Sequence, residues 1–194
     1  MKSRTDVMLD IDDDVIRRAA QGDAGAFEAI LKSYGDLVFN VSLRVVRHRE
    51  DAEEVAQEVF LTIYRKLKDF QWRSSFKTWV YRVTINTAIN YAKRVAGMKN
   101  RSVEYNEAVH AGESSPSDVQ QSAEKEYAQG VVDRLLGELS EEQRACIVLR
   151  NMEGLKYEEI AGVLGIDINA VRSRLKRARV KLLSVRDEVM ANEM

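Results

Sequence analysis

The chain has very few of the residues that interrupt helices or cross-link a fold. Its 194 residues include one proline and one cysteine. A single proline indicates long uninterrupted helices, because proline removes a backbone donor and breaks a helix interior. A single cysteine, Cys146, excludes an internal disulfide and is typical of a reducing compartment. Since its neighbours in the sequence are apolar, we expect a buried structural thiol.

Signals for membrane insertion and for catalysis are also missing. No apolar run follows a basic start, and no stretch reaches the length of a membrane span, so we expect a cytoplasmic protein without direct membrane insertion. The two histidines, His48 and His110, lie far apart and away from Cys146, so no metal-ligand spacing is present. The chain also lacks a glycine-rich phosphate loop and a nucleophile elbow. We therefore expect no enzyme, no cofactor, no metal and no small-molecule substrate.

Acidic residues are absent from one stretch, although the chain contains 31 of them and has a net charge of −1. Residues 70–103 hold no Asp or Glu. Cations and aromatic residues alternate there, namely Arg73, Lys77, Arg82, Lys93, Arg94, Lys99 and Arg101 with Phe70, Trp72, Phe76, Trp79, Tyr81 and Tyr91. Cations neutralise phosphate and aromatic rings accept unstacked bases, so the stretch favours a single-stranded nucleic acid as ligand.

The hydrophobic pattern predicts an all-α fold of two small helical domains joined by a flexible linker. Helical periodicity dominates residues 10–97 and returns in residues 126–190, with no convincing strand. Residues 98–125 between them are polar, contain Gly, Ser and the proline, and show no period, which indicates the linker. In the third predicted helix the apolar face is Ala52, Val55, Val59, Thr62 and Ile63, and the opposite face is Glu50, Glu53, Glu54, Gln57 and Glu58.

The second predicted domain carries the pattern of a helix-turn-helix. Ser140 and Gln143 form a capping-box pattern at the start of one helix. A helix over residues 157–164, a turn centred on Gly165 and a second helix starting near Asp167 follow. Residues 168–185 hold no acid, and their cations are typical of a recognition helix in the major groove. The alternative interpretation is a solvated basic face.

Within the acid-free stretch, one helical face is polar. Arg82, Asn86, Asn90 and Lys93 align there at 3.6 residues per turn. The two asparagines can read base edges, but they can equally be solvent-facing amides or bond each other along the helix. For the aromatic residues we expect Trp79 in the core and Phe70 at a pocket wall, and Trp72 stays undecided.

These residues resemble bacterial sigma factors of the extracytoplasmic-function (ECF) group of the sigma-70 family. The segments that carry the resemblance are GDAGAFEAI, DAEEVAQEVFLTIYRKL and FKTWVYRVTINTAINYAKR, and then LSEEQRACIVLRNMEGLKYEEIAGVLGIDINAVRSRLKRAR. Together they cover nearly the whole chain except the linker and the termini. The resemblance implies a sigma region 2 helical bundle at residues 10–97, a linker at 98–125, and a sigma region 4 helix-turn-helix domain at 126–190.

The resemblance also implies partners and binding residues. RNA polymerase core would be bound at its beta-prime clamp helices by Glu53, Glu54, Gln57 and Glu58. The minus-ten promoter element, with a flipped base of the non-template strand, would be bound by Phe70, Tyr81, Arg82, Asn86, Asn90 and Lys93. The minus-thirty-five element would be bound by Arg150, Tyr157, Arg172, Ser173, Lys176 and Arg177. An anti-sigma factor is a further implied partner.

The chain departs from the family pattern at two places. Many members carry Pro-Val-Gly-Thr-Val before the recognition helix, where this chain has Asp167–Val171. The resemblance therefore assigns no role to Asn169 or Ala170. The first domain often ends in Asp-x-x-Arg, where this chain has Asn90–Lys93, so the promoter preference is not implied.

Two other functions fit part of the sequence. A helix-turn-helix transcriptional regulator with an N-terminal helical effector domain explains residues 155–183 but not the acid-free aromatic stretch. A helical adaptor that binds only protein predicts no salt-dependent affinity for DNA. Binding to polymerase core separates the first alternative from a sigma factor.

Overall fold

The computed structural model describes residues 11–101 and 130–192, and its first unit is built from four α-helices. These are α1 (Asp13–Ala20), α2 (Ala24–Val46), α3 (Arg49–Lys66) and α4 (Phe76–Arg101), with a short 3-10 turn at Leu67–Asp69. No strand occurs in the described ranges, which confirms the predicted all-α class. Helix α4 continues to Arg101, past residue 97, and the predicted linker from residue 102 onward lies outside the described residues.

Aspartate side chains determine where the first two helices begin. The Asp12 carboxylate accepts a hydrogen bond from the Asp14 backbone N–H at 3.0 Å, and Asp23 accepts one from Ala26 at 3.0 Å. Each carboxylate therefore satisfies a donor that the helix leaves unpaired. Between the helices Gly22 has a φ of 95°, a conformation that side chains with a Cβ rarely adopt, so this glycine allows the sharp turn from α1 into α2.

An apolar face of α2 and the apolar face predicted for α3 form the core of the first unit. Val38, Val41 and Val45 on α2 are fully buried. On α3 the buried positions are Ala52, Val55, Val59 and Ile63, while the acidic side chains of the opposite face are exposed. Helix α4 closes the bundle with Val80, Ile85 and Ala88, which are also fully buried.

The second unit contains α5, which covers residues 130–137, and then α6 (Glu141–Ile147), a π-helical turn at Val148–Met152, α7 (Tyr157–Leu164) and α8 (Ile168–Asn192). The capping box predicted for α6 is present, since Gln143 N–H donates to Ser140 Oγ at 3.4 Å and Ser140 N–H donates to Gln143 Oε1 at 3.1 Å. Cys146 is fully buried, as predicted, and burial raises the pKa of its thiol to about 11.

The two units pack against each other and share one continuous hydrophobic core. Helix α4 of the first unit lies against α6 and α7 of the second, and the end of α2 lies against α6 and the π-helical turn. Within the described residues no helix is long and apolar enough to cross a bilayer.

Candidate nucleic-acid and polymerase interfaces

The loop before α4 presents a cluster of aromatic rings. Phe70 is half-buried, and its ring centroid lies 5.0 Å from Trp72, 5.3 Å from Trp79 and 5.6 Å from Phe76. Tilted and edge-on contacts at these separations stabilise aromatic clusters. Phe70 is thus packed in an aromatic cluster at the surface of the bundle. Its role as a pocket wall stays a prediction.

Trp72, which the sequence left undecided, lies at the surface. Its side chain is 42% exposed, whereas Trp79, which was expected in the core, is half-buried and packs against the core from its edge. The Trp72 backbone is left-handed with a φ of 57°, which costs about 1–2 kcal/mol for a residue with a Cβ. The Arg17 guanidinium carbon of α1 lies 4.9 Å from the Trp72 ring centroid and supports it. An exposed indole 5.0 Å from the Phe70 ring makes Trp72 an additional candidate for base stacking.

The four polar residues of the predicted stripe lie on an exposed face of α4. Arg82, at one end, donates from Nε and Nη2 to the Gly162 carbonyl of α7 at 3.1 and 2.6 Å. Lys93, at the other end, pairs with Glu142 of α6 at 2.5 Å, and this contact lowers the pKa of the Glu142 carboxyl. Asn86 and Asn90 have no hydrogen-bond partner in the described part of the chain, so their amides are available to a ligand.

Tyr81 is buried between the two units. Its side chain is 3% exposed, and its hydroxyl donates to Glu153 Oε2 at 2.6 Å. Arg44 of α2 donates to the other oxygen of the same carboxylate at 3.3 Å. The sequence predicted Tyr81 among the nucleic-acid contacts, but in this arrangement its ring and hydroxyl face the second unit.

The acidic face of α3 is only partly occupied by neighbouring side chains. Glu53 pairs with Arg49 at 3.1 Å. Glu54 accepts a hydrogen bond from the Tyr91 hydroxyl at 2.9 Å. Burial, together with the Asp51 and Glu54 carboxylates, raises the pKa of Tyr91. Gln57 and Glu58 are exposed and have no partner within the described ranges.

Two apolar residues extend this face of α3 and were missed by the sequence reasoning. Leu61 is 54% exposed and Tyr64 is 58% exposed. Leu61 follows Gln57 by four residues, and Tyr64 follows Leu61 by three, which places all three on one side of the helix. Exposed apolar side chains bordered by polar ones are typical of protein-binding surfaces. The available signal was that Leu61 and Tyr64 lie off the apolar face formed by Val55, Val59 and Ile63.

The helix-turn-helix has the predicted geometry. Gly165 has a left-handed φ of 65°, and Asp167 accepts a hydrogen bond from Asn169 N–H at 2.7 Å at the start of α8. Val171 and Leu175 are buried against the rest of the unit. The four predicted contacts on α8 are exposed on the opposite side, namely Arg172, Ser173, Lys176 and Arg177.

Arg150 and Tyr157 lie together at the entrance to α7. The Arg150 guanidinium carbon is 5.3 Å from the Tyr157 ring centroid, and its Nη1 donates to the Leu155 carbonyl at 2.9 Å. Both side chains are half-buried. Arg150 therefore stabilises the turn before α7, and part of each side chain stays accessible to a ligand.

Comparison with known proteins agrees with this architecture. The family description "Sigma-70 region 2" matches residues 30–97, and "Sigma-70, region 4" matches residues 129–182. The RNA polymerase sigma-H factor of Pseudomonas aeruginosa is 33% identical over 174 residues, which cover 87% of this chain and 90% of that protein. The chain belongs to the ECF group of the sigma-70 family. The first unit of this sigma factor is its region 2, and the second is its region 4.

Other relatives of the sigma factor extend over most of its length. The ECF RNA polymerase sigma-E factor of Escherichia coli is 34% identical over 173 residues, which cover 85% of this chain and 88% of that protein. Among solved structures, CnrH in complex with the cytosolic domain of CnrY has a TM-score of 0.66 at 25% identity, covering 92% of this chain and 99% of that one. RpoE of Bartonella quintana, solved with the anti-sigma factor NepR, shares the fold with a TM-score of 0.61 at 21% identity.

Proposed function

We propose that this sigma factor directs RNA polymerase core to specific promoters, with region 2 holding the melted non-template strand and region 4 holding duplex DNA. The observation that carries the proposal is the stripe on α4. Within the described residues Asn86 and Asn90 are exposed and have no hydrogen-bond partner, and they lie between two cations on the helix that follows the aromatic loop. In this role the protein performs no chemistry of its own.

Region 2 is suited to a single strand because it combines three kinds of contact. Arg82 and Lys93 can neutralise phosphates, and the amides of Asn86 and Asn90 can pair with the edge of an extruded base. Phe70 and the exposed Trp72 provide rings on which a base can stack. We assign the minus-ten element to this surface.

Region 4 is suited to duplex DNA. Helix α8 exposes Arg172, Ser173, Lys176 and Arg177 on the side opposite its buried residues. Arginine and lysine at such positions read guanine edges in the major groove or contact phosphate. We assign the minus-thirty-five element to this helix, with Arg150 and Tyr157 at its border.

The exposed face of α3 is the proposed contact with the beta-prime clamp helices of polymerase core. Gln57 and Glu58 are its freely available polar groups, and Leu61 and Tyr64 add apolar area. Glu53 and Glu54 contribute negative charge, although each already has an intramolecular partner. An anti-sigma protein is a further proposed partner, in keeping with the similarity to RpoE of Bartonella quintana, which was solved with the anti-sigma factor NepR.

Reconstituted transcription tests the proposal. DNA retained by the holoenzyme is sequenced to obtain the promoter, and initiation from it is measured with core polymerase. We expect Asn86→Ala to impair promoter opening while leaving binding to core unchanged, and Arg177→Ala to weaken duplex binding by about 1–3 kcal/mol if it reads a base. Asn40→Ala, an exposed asparagine on α2, is the matched control for Asn86→Ala and should leave opening unchanged.

Specific outcomes would overturn parts of this assignment. Absence of promoter-dependent initiation from every recovered sequence would refute the sigma-factor role, and absence of core binding would favour an ordinary helix-turn-helix regulator. If Asn86→Ala unfolds region 2 or abolishes core binding, the asparagine is structural. An equal loss on all duplexes for Arg177→Ala would make it a phosphate contact.

A further inference from the structure

The aromatic loop and the polar stripe lie in one row along α4. Trp79, whose ring contacts Phe70 at 5.3 Å, precedes Asn86 by seven residues, which is nearly two full helical turns. Both residues therefore lie on the same side of α4, about 10 Å apart at about 1.5 Å per residue. Since stacked bases are about 3.4 Å apart along one strand, the aromatic loop and the Asn86 amide contact nucleotides about three positions apart.

Trp72 is the exposed member of the aromatic loop. Its ring lies 5.0 Å from the Phe70 ring, and its side chain is 42% exposed. The backbone φ of 57° favours glycine, so packing alone does not explain a large, partly exposed side chain at this position. Residues in such backbone conformations cluster at ligand-binding sites. The exposed indole therefore points to a ligand that stacks on it.

Arg17 of α1 is the cation beside this ring. Its guanidinium carbon lies 4.9 Å from the Trp72 ring centroid, and its side chain is exposed. Within the described residues Arg17 forms no ion pair. Its neighbour Arg18, by contrast, pairs with Asp14 and Asp23. The positive charge of Arg17 is therefore available to a phosphate, next to an aromatic ring that is available to a base.

We propose that Arg17 and Trp72 bind a second unpaired nucleotide of the melted strand, with the indole stacking on the base and the guanidinium neutralising a phosphate. This second nucleotide site lies about three nucleotides from the one assigned to Asn86 and Asn90. It adds α1 (Asp13–Ala20), which precedes the residues matched as region 2, to the nucleic-acid surface. Because stacking accepts every base, the site contributes affinity rather than base choice. The inference rests on the proposed function, since the ligand is the same strand.

Affinity for a single strand measures what the ring contributes. The probe is a fluorescein-labelled oligothymidine of about 12 nucleotides, and its binding to the 194-residue chain is followed by anisotropy. We expect Trp72→Ala to weaken binding about tenfold, because the base loses its stacking partner. Trp72→Phe keeps an aromatic ring, so its affinity should stay within about threefold of the parent.

Trp72→Gly separates the loss of the ring from a change in the loop. Glycine adopts a φ of 57° freely, so this variant should unfold at a higher temperature than Trp72→Ala. Both variants lack the ring, so both should lose about tenfold in affinity for the strand. Parental affinity in the glycine variant would mean that alanine acts through the loop conformation, and it would overturn the stacking contact.

The salt dependence of binding tests Arg17 separately. For single strands, the slope of log affinity against log salt is about −0.7 for each phosphate that is neutralised. Arg17→Gln should make this slope shallower by about 0.7, whereas Trp72→Ala should leave it unchanged. The matched control is Arg134→Gln, which removes the same charge from an exposed arginine of α5 and should keep the parental slope.

Tryptophan emission reports direct contact with the strand. The chain has two tryptophans, so Trp79→Phe leaves Trp72 as the single emitter. Saturating oligothymidine should quench that emission, because the indole stacks on a base. In Trp72→Phe the remaining emitter is the half-buried Trp79, whose emission should change less.

Each outcome decides the proposal. Parental affinity of Trp72→Ala overturns it, and so do Trp72 emission that the strand leaves unchanged and absence of strand binding by the parent. An unchanged salt slope in Arg17→Gln overturns the phosphate contact. If the parent fails to initiate transcription with core polymerase although these strand effects are observed, the proposed function fails and the second nucleotide site stands. If initiation succeeds without the strand effects, only the second nucleotide site fails.

Discussion

Arg144 is a buried cation whose hydrogen-bond partners are all backbone carbonyls. Its guanidinium donates to Leu136 at 2.8 Å, to Leu139 at 2.9 Å and to the Val45 carbonyl of α2. Burial lowers the pKa of Arg144 to about 10, which still leaves it charged at neutral pH. Burying a charge is costly unless hydrogen bonds compensate it, and carbonyls at helix C-termini carry partial negative charge that does so. One side chain of region 4 therefore satisfies the end of a helix in each region.

Replacing this cation should destabilise the protein strongly. Arg144→Met keeps a long side chain but leaves three buried carbonyls without a donor, so we expect a loss of about 2–4 kcal/mol in the free energy of unfolding. Urea denaturation followed by circular dichroism measures it. Arg134→Met, an exposed arginine on α5, should change stability by less than about 0.5 kcal/mol. Similar losses for the two variants would contradict the role given to Arg144.

The helix-turn-helix shows how local chemistry determines an element. Gly165 ends α7 in a left-handed conformation, and the Asp167 carboxylate begins α8. Both positions were predicted from the sequence, because caps and glycine turns depend on residues only a few positions apart. The exposed face of α8 could be predicted for the same reason. The sequence did not indicate that the other helix of the motif, α7, would also receive Arg82 on its Gly162 carbonyl.

Substituting alanine for either of two glycines of this motif should change the stability of the protein, in opposite directions for the two positions. Gly165→Ala places a Cβ on a backbone with a φ of 65°, so we expect a loss of about 1–2 kcal/mol. Gly162 is inside α7, and a Cβ there would meet nothing within 4 Å. Gly162→Ala should therefore stabilise the protein by about 0.5–1 kcal/mol. Thermal unfolding measures both changes, and a loss at Gly162 as large as that at Gly165 would refute this account.

The continuous core makes region 2 and region 4 of the free chain one structural body. Buried residues of α2 and α4 belong to the same cluster as buried residues of α6, α7 and α8. Sequence patterning predicted the two regions separately but not this contact. The apolar face that each region buries follows from the helical periodicity of its own sequence. The packing of one region on the other depends on whether the surfaces that remain outside each core are complementary in shape.

Because the core is shared, the two regions should unfold together. Both tryptophans, Trp72 and Trp79, lie in region 2, and the buried Cys146 lies in region 4. We expect tryptophan fluorescence and labelling of the Cys146 thiol to report the same urea midpoint, as in a two-state transition. In Glu142→Lys the two midpoints should separate. Different midpoints in the parent protein would show that the regions are energetically independent.

The sequence by itself determined the helices, their caps, the buried faces, and the residues that make up the acid-free stripe and the recognition helix. These features depend on periodicity and on hydrogen bonds within about one turn, so nearby residues are enough to specify them. Only the tertiary structure determined which of these side chains stay free of contacts with the other region. Arg82 and Gly162 are 80 residues apart, Tyr81 and Glu153 are 72 apart, and Val45 and Arg144 are 99 apart. Such pairs form only when whole helices pack, so no local pattern could indicate that region 4 covers the cations of the stripe and leaves its asparagines exposed.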